Sequence, residues 1–147
     1  ARALGLALGR PVAGVSTLDC LAAAYYTDHP QGGNVLALIE TKREDFYGQF
    51  FVPGGQAQGE PFACPAVSVP LSSSVTIIGD AGTRFAGLRS EAAALLRQQS
   101  GYELPRADIV ARAGLRAHES GTGAAAPLYL RGADVSASTR FTRTVEE

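Results

Sequence analysis

The chain has 147 residues, 46% of them hydrophobic and 18% charged, a length and mixture that suit one ordinary globular domain with a single core. With 13 Lys and Arg against 14 Asp and Glu the net charge is -1, which leaves no electrostatic footprint for gripping a nucleic-acid backbone. No apolar run approaches the ~20 residues needed to span a bilayer, and the apolar opening stretch, interrupted by Arg10 and Pro11, lacks the basic start of a secretion signal. A cytoplasmic location and no membrane partner are therefore expected.

Leu4 and Leu8 form an i, i+4 apolar pair beside Gly5 and Gly9. This predicts a short helix entered without a capping residue, ended by Pro11 and packed closely on a neighbour through its glycines. It reads as a helix whose beginning lies upstream. Val12 to Val15 is an apolar run that suits a strand buried on both faces. Ser16 then caps a helix, with Asp19 in a capping-box relation and Leu18, Leu21, Ala22 and Tyr25 on its apolar face. Asp28 to Gly33 stops it.

Val35 to Ile39 and Phe46 to Val52 are β-rich runs joined by the charged turn Thr41 to Asp45, which predicts a hairpin. Tyr47, Gln49 and Phe51 alternate with Phe46, Gly48, Phe50 and Val52, so both faces of that strand need cover, which a missing domain or partner would provide. Residues 53 to 65, rich in Gly, Pro and Gln, read as an exposed loop with an edge strand near Val67. Val75 to Ile78 predicts a strand, followed by the turn Gly79-Asp80-Ala81-Gly82 and a helix carrying Phe85, Leu88, Ala92, Leu95 and Leu96. Gly101 closes that helix, and a last helix carries Ile109, Val110 and Ala113. Leu128 to Leu130 ends the ordered part, and 132 to 147 has no sustained period. The order of elements predicts an α/β or α+β layer around a mixed sheet.

Chemistry is sparse along this chain. Gly79, Asp80 and Gly82 could cradle a phosphate, because glycines let backbone amides approach an anion, but two glycines also suit a tight strand-to-helix turn. At the hairpin, a partner protein could read Arg43 and Tyr47; a solvated turn is the plainer account. Cys20 and Cys64 have no second Cys or His at metal-ligand spacing, so neither zinc nor another metal site is expected, and Cys20 beside Leu18 and Leu21 suits a free buried thiol, with a disulfide as the open alternative. His29 and His118 suit structural or exposed positions, and no serine sits in a nucleophile elbow. No set of nucleophile, base and oxyanion donors assembles, so no catalytic residue is assigned.

Four segments in order carry a resemblance: Gly5-Leu6-Ala7 through Pro11 to Asp19, Leu38 to Tyr47, Ile78-Gly79-Asp80-Ala81-Gly82, and Ala126-Pro127-Leu128-Tyr129-Leu130-Arg131. Together they resemble the bacterial TsaB (YeaZ) family, whose members are non-catalytic partners in threonylcarbamoyladenosine (t6A) modification of tRNA. The resemblance implies an actin-like ATPase fold of ribonuclease-H-like lobes. Residues 1–16 would be the end of a first lobe largely absent here, 17–131 the second lobe and 132–147 a C-terminal tail. It further implies a TsaD-like catalytic subunit and a TsaE-like ATPase as partners, with tRNA engaged only through the complex. No cofactor of its own is implied, ATP entering only at a partner interface, and a homodimer stays open.

The family's hairpin usually carries acidic-Ala-Arg-Arg-Gly-Glu-Val-Tyr where Thr41, Lys42 and Glu44 to Phe46 depart from it. Its Gly-Asp-Gly turn is here lengthened by Ala81. The histidine pair of the TsaD paralogue has no counterpart, since His29 and His118 lie far apart. The alternative from another class is an ATP-binding kinase or ATPase of the actin-like superfamily, with Gly79 to Gly82 on the nucleotide.

Overall fold

The computed structural model describes residues 1–123 and 125–131; the tail expected over 132–147 lies outside them. Helices α1 (Arg2–Leu8) and α2 (Thr17–Asp28) lead into the antiparallel strands β1 (Val35–Glu40), β2 (Asp45–Val52) and β3 (Gln56–Pro65). A 3-10 turn at Ala66–Ser68 precedes β4 (Val75–Ile78), then come α3 (Gly82–Leu88), a second 3-10 turn at Ser90–Leu95, β5 (Leu96–Gln98) and α4 (Ala107–Glu119). The five strands form one mixed sheet in the order β3-β2-β1-β4-β5. β1 pairs antiparallel with β2 and parallel with β4, and β4 pairs parallel with β5.

The strand period of two sorts the side chains between two cores. Val35, Ala37, Phe51 and Ile78 point to one face, where α2 delivers Leu18, Leu21 and Tyr25 and α4 delivers Ile109. Leu36, Leu38, Phe46 and Ile77 point to the other, covered by Ala66, Val69 and Phe85. The cover expected from a missing domain or partner is thus furnished by the chain itself, and Phe46 and Phe51 are both essentially buried. α2 starts as its sequence dictates: the Ser16 Oγ accepts the Asp19 N–H at 3.4 Å, satisfying one of the free donors of the first turn.

Four expectations are corrected. Val12 to Val15 is not a strand of the sheet: it holds a single bridge at Ala13, and the Gly14 N–H donates to the Gly123 carbonyl at 2.7 Å, because β2 and β4 already occupy both sides of β1. The region 53–65 is not a loop but contains β3, while Val67 sits in a 3-10 turn. Pro61 is tolerated because β3 is an edge strand, and it falls at the break in register opposite Gly48 to Phe50.

The long helix expected from Phe85 to Leu96 stops at Leu88. Arg89 leaves helical geometry and its Nη1 donates to the Ala66 and Val69 carbonyls at 2.6 and 2.9 Å. Leu96 to Gln98 then adds to β4 as a strand, pairing overriding the helical preference of the run Ala92 to Leu96. In α1 the glycine contact falls within the chain, a Cβ on Gly5 lying 2.3 Å from Val12 Cγ2, and the helix closes on Gly9 in the left-handed region, ahead of Pro11.

Candidate functional site

Because β1 and β4 run parallel, their carboxyl ends lie side by side, and the hairpin turn, the Gly79 turn and the start of α3 meet there. Gly79 has φ +98, and a Cβ on it would stand 1.9 Å from the Leu38 carbonyl oxygen. Only glycine lets β4 leave the sheet this close to β1. Asp80 follows and turns its Oδ1 back to accept the Glu40 N–H at 2.8 Å. Glu40 in turn accepts from the Lys42 N–H at 2.8 Å and from Arg84 Nη1 at 2.6 Å. The other Arg84 nitrogen, Nη2, donates to the Arg43 carbonyl, and the guanidinium lies 4.5 Å over the Phe46 ring. Arg84 therefore braces α3 against the hairpin tip through an ion pair, a backbone bond and a cation–π contact.

Of the residues singled out for a nucleotide, Gly79 and Asp80 take part in this brace, and Gly82 opens α3 beside Ile77. The Asp80 and Glu40 carboxylates converge on the turn, so a phosphate would meet repulsion there unless a cation came with it. Among the described residues no group of three His, Cys, Asp or Glu could hold a metal ion. Arg43 and Tyr47 part company. Arg43 meets α3 through its carbonyl, whereas Tyr47, opposite Ile39 in the ladder, faces the α2 side.

On that side Tyr47 and Ile39 line a groove of about 450 Å³ with Leu18, Pro127, Leu128 and Leu130. Its outer wall is the segment 126–131, tied down by Arg131 Nε to Asp45 Oδ2 at 3.2 Å. Leu128 and Tyr129 remain largely exposed. Groove and brace together bring parts of the four resembling segments to one end of the molecule: Val15 to Leu18, Ile39 to Tyr47, Gly79 to Gly82 and Ala126 to Arg131. Sequence reasoning missed Arg84 and Glu40, since nothing in their local spacing signals a partner 44 residues away.

Burial pushes the Cys20 thiol up, helped by the Asp19 charge beside it, and burial with the nearby Asp45 does the same to Cys64. Both cysteines are free, and raised thiols stay protonated and poorly nucleophilic. Asp19 is itself raised by burial. The His29 ring lies 4.7 Å from that of Tyr25 and 6.1 Å from that of Tyr102, and His118 is exposed in the last turn of α4.

An antiparallel meander followed by two parallel strands in the order 3-2-1-4-5, with helices on the sheet, defines an α/β lobe of ribonuclease-H-like fold. Among solved structures the chain is similar to an uncharacterized protein with similarity to peptidase YEAZ from Pseudomonas aeruginosa, at 24% identity and a TM-score of 0.67 over 88% of this chain and 63% of that one. It is similar also to YeaZ from Pseudomonas aeruginosa, at 23% identity and a TM-score of 0.66 over 88% of this chain and 64% of that one. The chain thus spans just under two thirds of the length of each, and at this identity the likeness is one of fold. No family model matches the sequence, and no curated protein matches it. No helix among the described residues is long and apolar enough to cross a membrane.

Proposed function

We propose that the chain is the second lobe, with the end of the first, of a YeaZ/TsaB-like protein. In this reading it serves as a non-catalytic scaffold that activates a TsaD-like transferase for threonylcarbamoyl transfer to the adenosine beside the anticodon of tRNA, with a TsaE-like ATPase joining the pair. The observation that carries the reading is convergence. Parts of the four segments that carry the sequence resemblance, far apart in the chain, gather at one end of a lobe whose fold is that of YeaZ. In this reading Tyr47 and Arg43 face partner surfaces and Gly79 to Gly82 keeps a structural turn where ATP-using relatives hold nucleotide.

The test is reconstitution. Mixed with the TsaD-like protein of its own genome, the protein extended to its full coding sequence co-elutes at micromolar concentration, and t6A forms on tRNA only when both are present with the TsaE-like ATPase. Separate elution together with unimpaired modification in its absence sinks the reading. Calorimetry with ATP and magnesium addresses the rival ATP-using enzyme: a Kd tighter than roughly 10 μM, about 7 kcal/mol, favours it.

A further inference from the structure

At the amino ends of the parallel strands, away from the Gly79 turn, a concavity of about 360 Å³ opens where the chain enters β1. Its polar lining comes from Tyr25 of α2, Asn34, Ser74, Thr76 of β4 and Arg97 of β5. Strand register brings the last two together. Val35 stands opposite Thr76 and Thr76 opposite Arg97, and residues opposite one another project from the same face of a sheet. That face is the one α2 covers with Tyr25.

Among the described residues, none of these five side chains makes a hydrogen bond or ion pair within the chain. Tyr25 is the telling member. It is 7% exposed, with its ring held edge-on by Tyr26 and Tyr102 at 5.2 and 5.5 Å. Its hydroxyl lies beside Gly32, 3.0 Å from where a Cβ would stand, and Gly32 lines the same concavity. No buried side-chain polar atom among the described residues lacks a partner, so this hydroxyl opens onto the concavity, where a bound acceptor would replace water. No carboxylate lines the concavity. The acid in the last turn of α2, Asp28, is already engaged by Arg106 at 3.2 Å and by the Tyr102 hydroxyl at 3.1 Å.

We propose that this concavity binds the phosphate group of a small phosphomonoester. The Arg97 guanidinium presents parallel N–H donors to two phosphate oxygens. The Asn34 amide and the Ser74, Thr76 and Tyr25 hydroxyls donate to the remaining lone pairs. Donors arriving from a helix, two strands and two connecting segments surround a tetrahedral anion more completely than a planar carboxylate. The site is independent of the scaffold reading and stands or falls without it.

The test is titration of the ¹⁵N-labelled chain in chloride buffer with inorganic phosphate, glycerol phosphate and acetate, following amide shifts. Phosphate and glycerol phosphate move the amides of Gly33, Asn34, Ser74, Thr76 and Arg97 together and saturate with a Kd near or below about 1 mM. Arg97 is exposed, so Arg97→Gln leaves the fold intact and weakens binding at least about tenfold. Thr76→Val keeps the shape of the strand residue and weakens it about fivefold. Linear shifts, shifts mapping elsewhere, or binding unchanged in Arg97→Gln overturn the proposal. Acetate saturating the same amides as tightly overturns the assignment to phosphate, and exclusion of glycerol phosphate overturns the assignment to an ester.

Discussion

Replacing Gly79 by alanine tests how closely β4 and β1 must approach at the motif-bearing end. Two costs add there. Placing an L-residue at φ +98 costs about 1–2 kcal/mol. The new Cβ, 1.9 Å from the Leu38 carbonyl oxygen, also needs at least 3.0 Å, so the backbone must part by about 1 Å. The register of β1 with β4 spans only three residue pairs, and leaving one or two of its buried backbone groups unpaired costs about 1–3 kcal/mol each. Gly79→Ala is therefore expected to lose roughly 2–8 kcal/mol, a large part of the stability of an ordinary domain. Urea unfolding followed by circular dichroism measures it through the midpoint at constant slope. Gly54 supplies the control, having φ +89 but nothing within 4 Å of its Cβ position, so that Gly54→Ala carries only the backbone cost of about 1–2 kcal/mol. Equal destabilisation by the two substitutions, within about 0.5 kcal/mol, would refute the close-approach argument.

Burial and the neighbouring Tyr25 push the Tyr26 phenol up from its ordinary 10.0 to about 12. The folded state thus favours the neutral phenol, whose contribution is complete below pH 10 and is lost as pH rises towards 12. Tyr26→Phe flattens that alkaline limb in pH-dependent melts and, by removing the hydroxyl that donates to the Gly33 carbonyl at 2.8 Å, costs about 1 kcal/mol at neutral pH. A Cβ on Gly48 would meet the Phe62 ring at 2.3 Å. Gly48→Ala is expected to cost about 2 kcal/mol, with part of the loss recovered in a Phe62→Leu background in a double-mutant cycle. Gln49 is 3% exposed, and its Nε2 donates across the break in the β2–β3 register to the Gln58 and Gly59 carbonyls at 3.2 and 3.0 Å. Gln49→Leu removes these bonds while leaving the carbonyls of the exposed Gln58 and Gly59 open to water, and lowers the thermal midpoint by about 3–6 °C, the equivalent of about 1 kcal/mol.

Legibility from sequence followed the locality of the signal. The Ser16 cap, the β1–β2 hairpin and α4 rest on residues within a few positions of one another, and all three formed as their spacing predicts. β3 escaped because an edge strand exposed along its first half lacks apolar alternation. β5 escaped because three residues pairing with β4 carry no period of their own. At the candidate site the Gly79 turn announced itself through its glycines. The use made of Asp80 did not, since its acceptor role depends on the Glu40 amide 40 residues earlier. The polar concavity at the other end was equally silent: Tyr25 reads as one more apolar residue of α2, and only the fold sets it beside Arg97.

The mixed pairing of β1 has a kinetic corollary. On one side it meets β2 across the short turn 41–44, and β2 meets β3 across an equally short one. On the other side it meets β4 only after the whole meander and the Arg89-pinned strap have been traversed. Short loops close early and long ones late. The chain is thus expected to assemble as a preformed meander onto which the parallel half docks. The bond from Asp80 to the Glu40 amide and the clasp of Arg84 on Glu40 would be the last latches to engage, and in the folded protein the first to open.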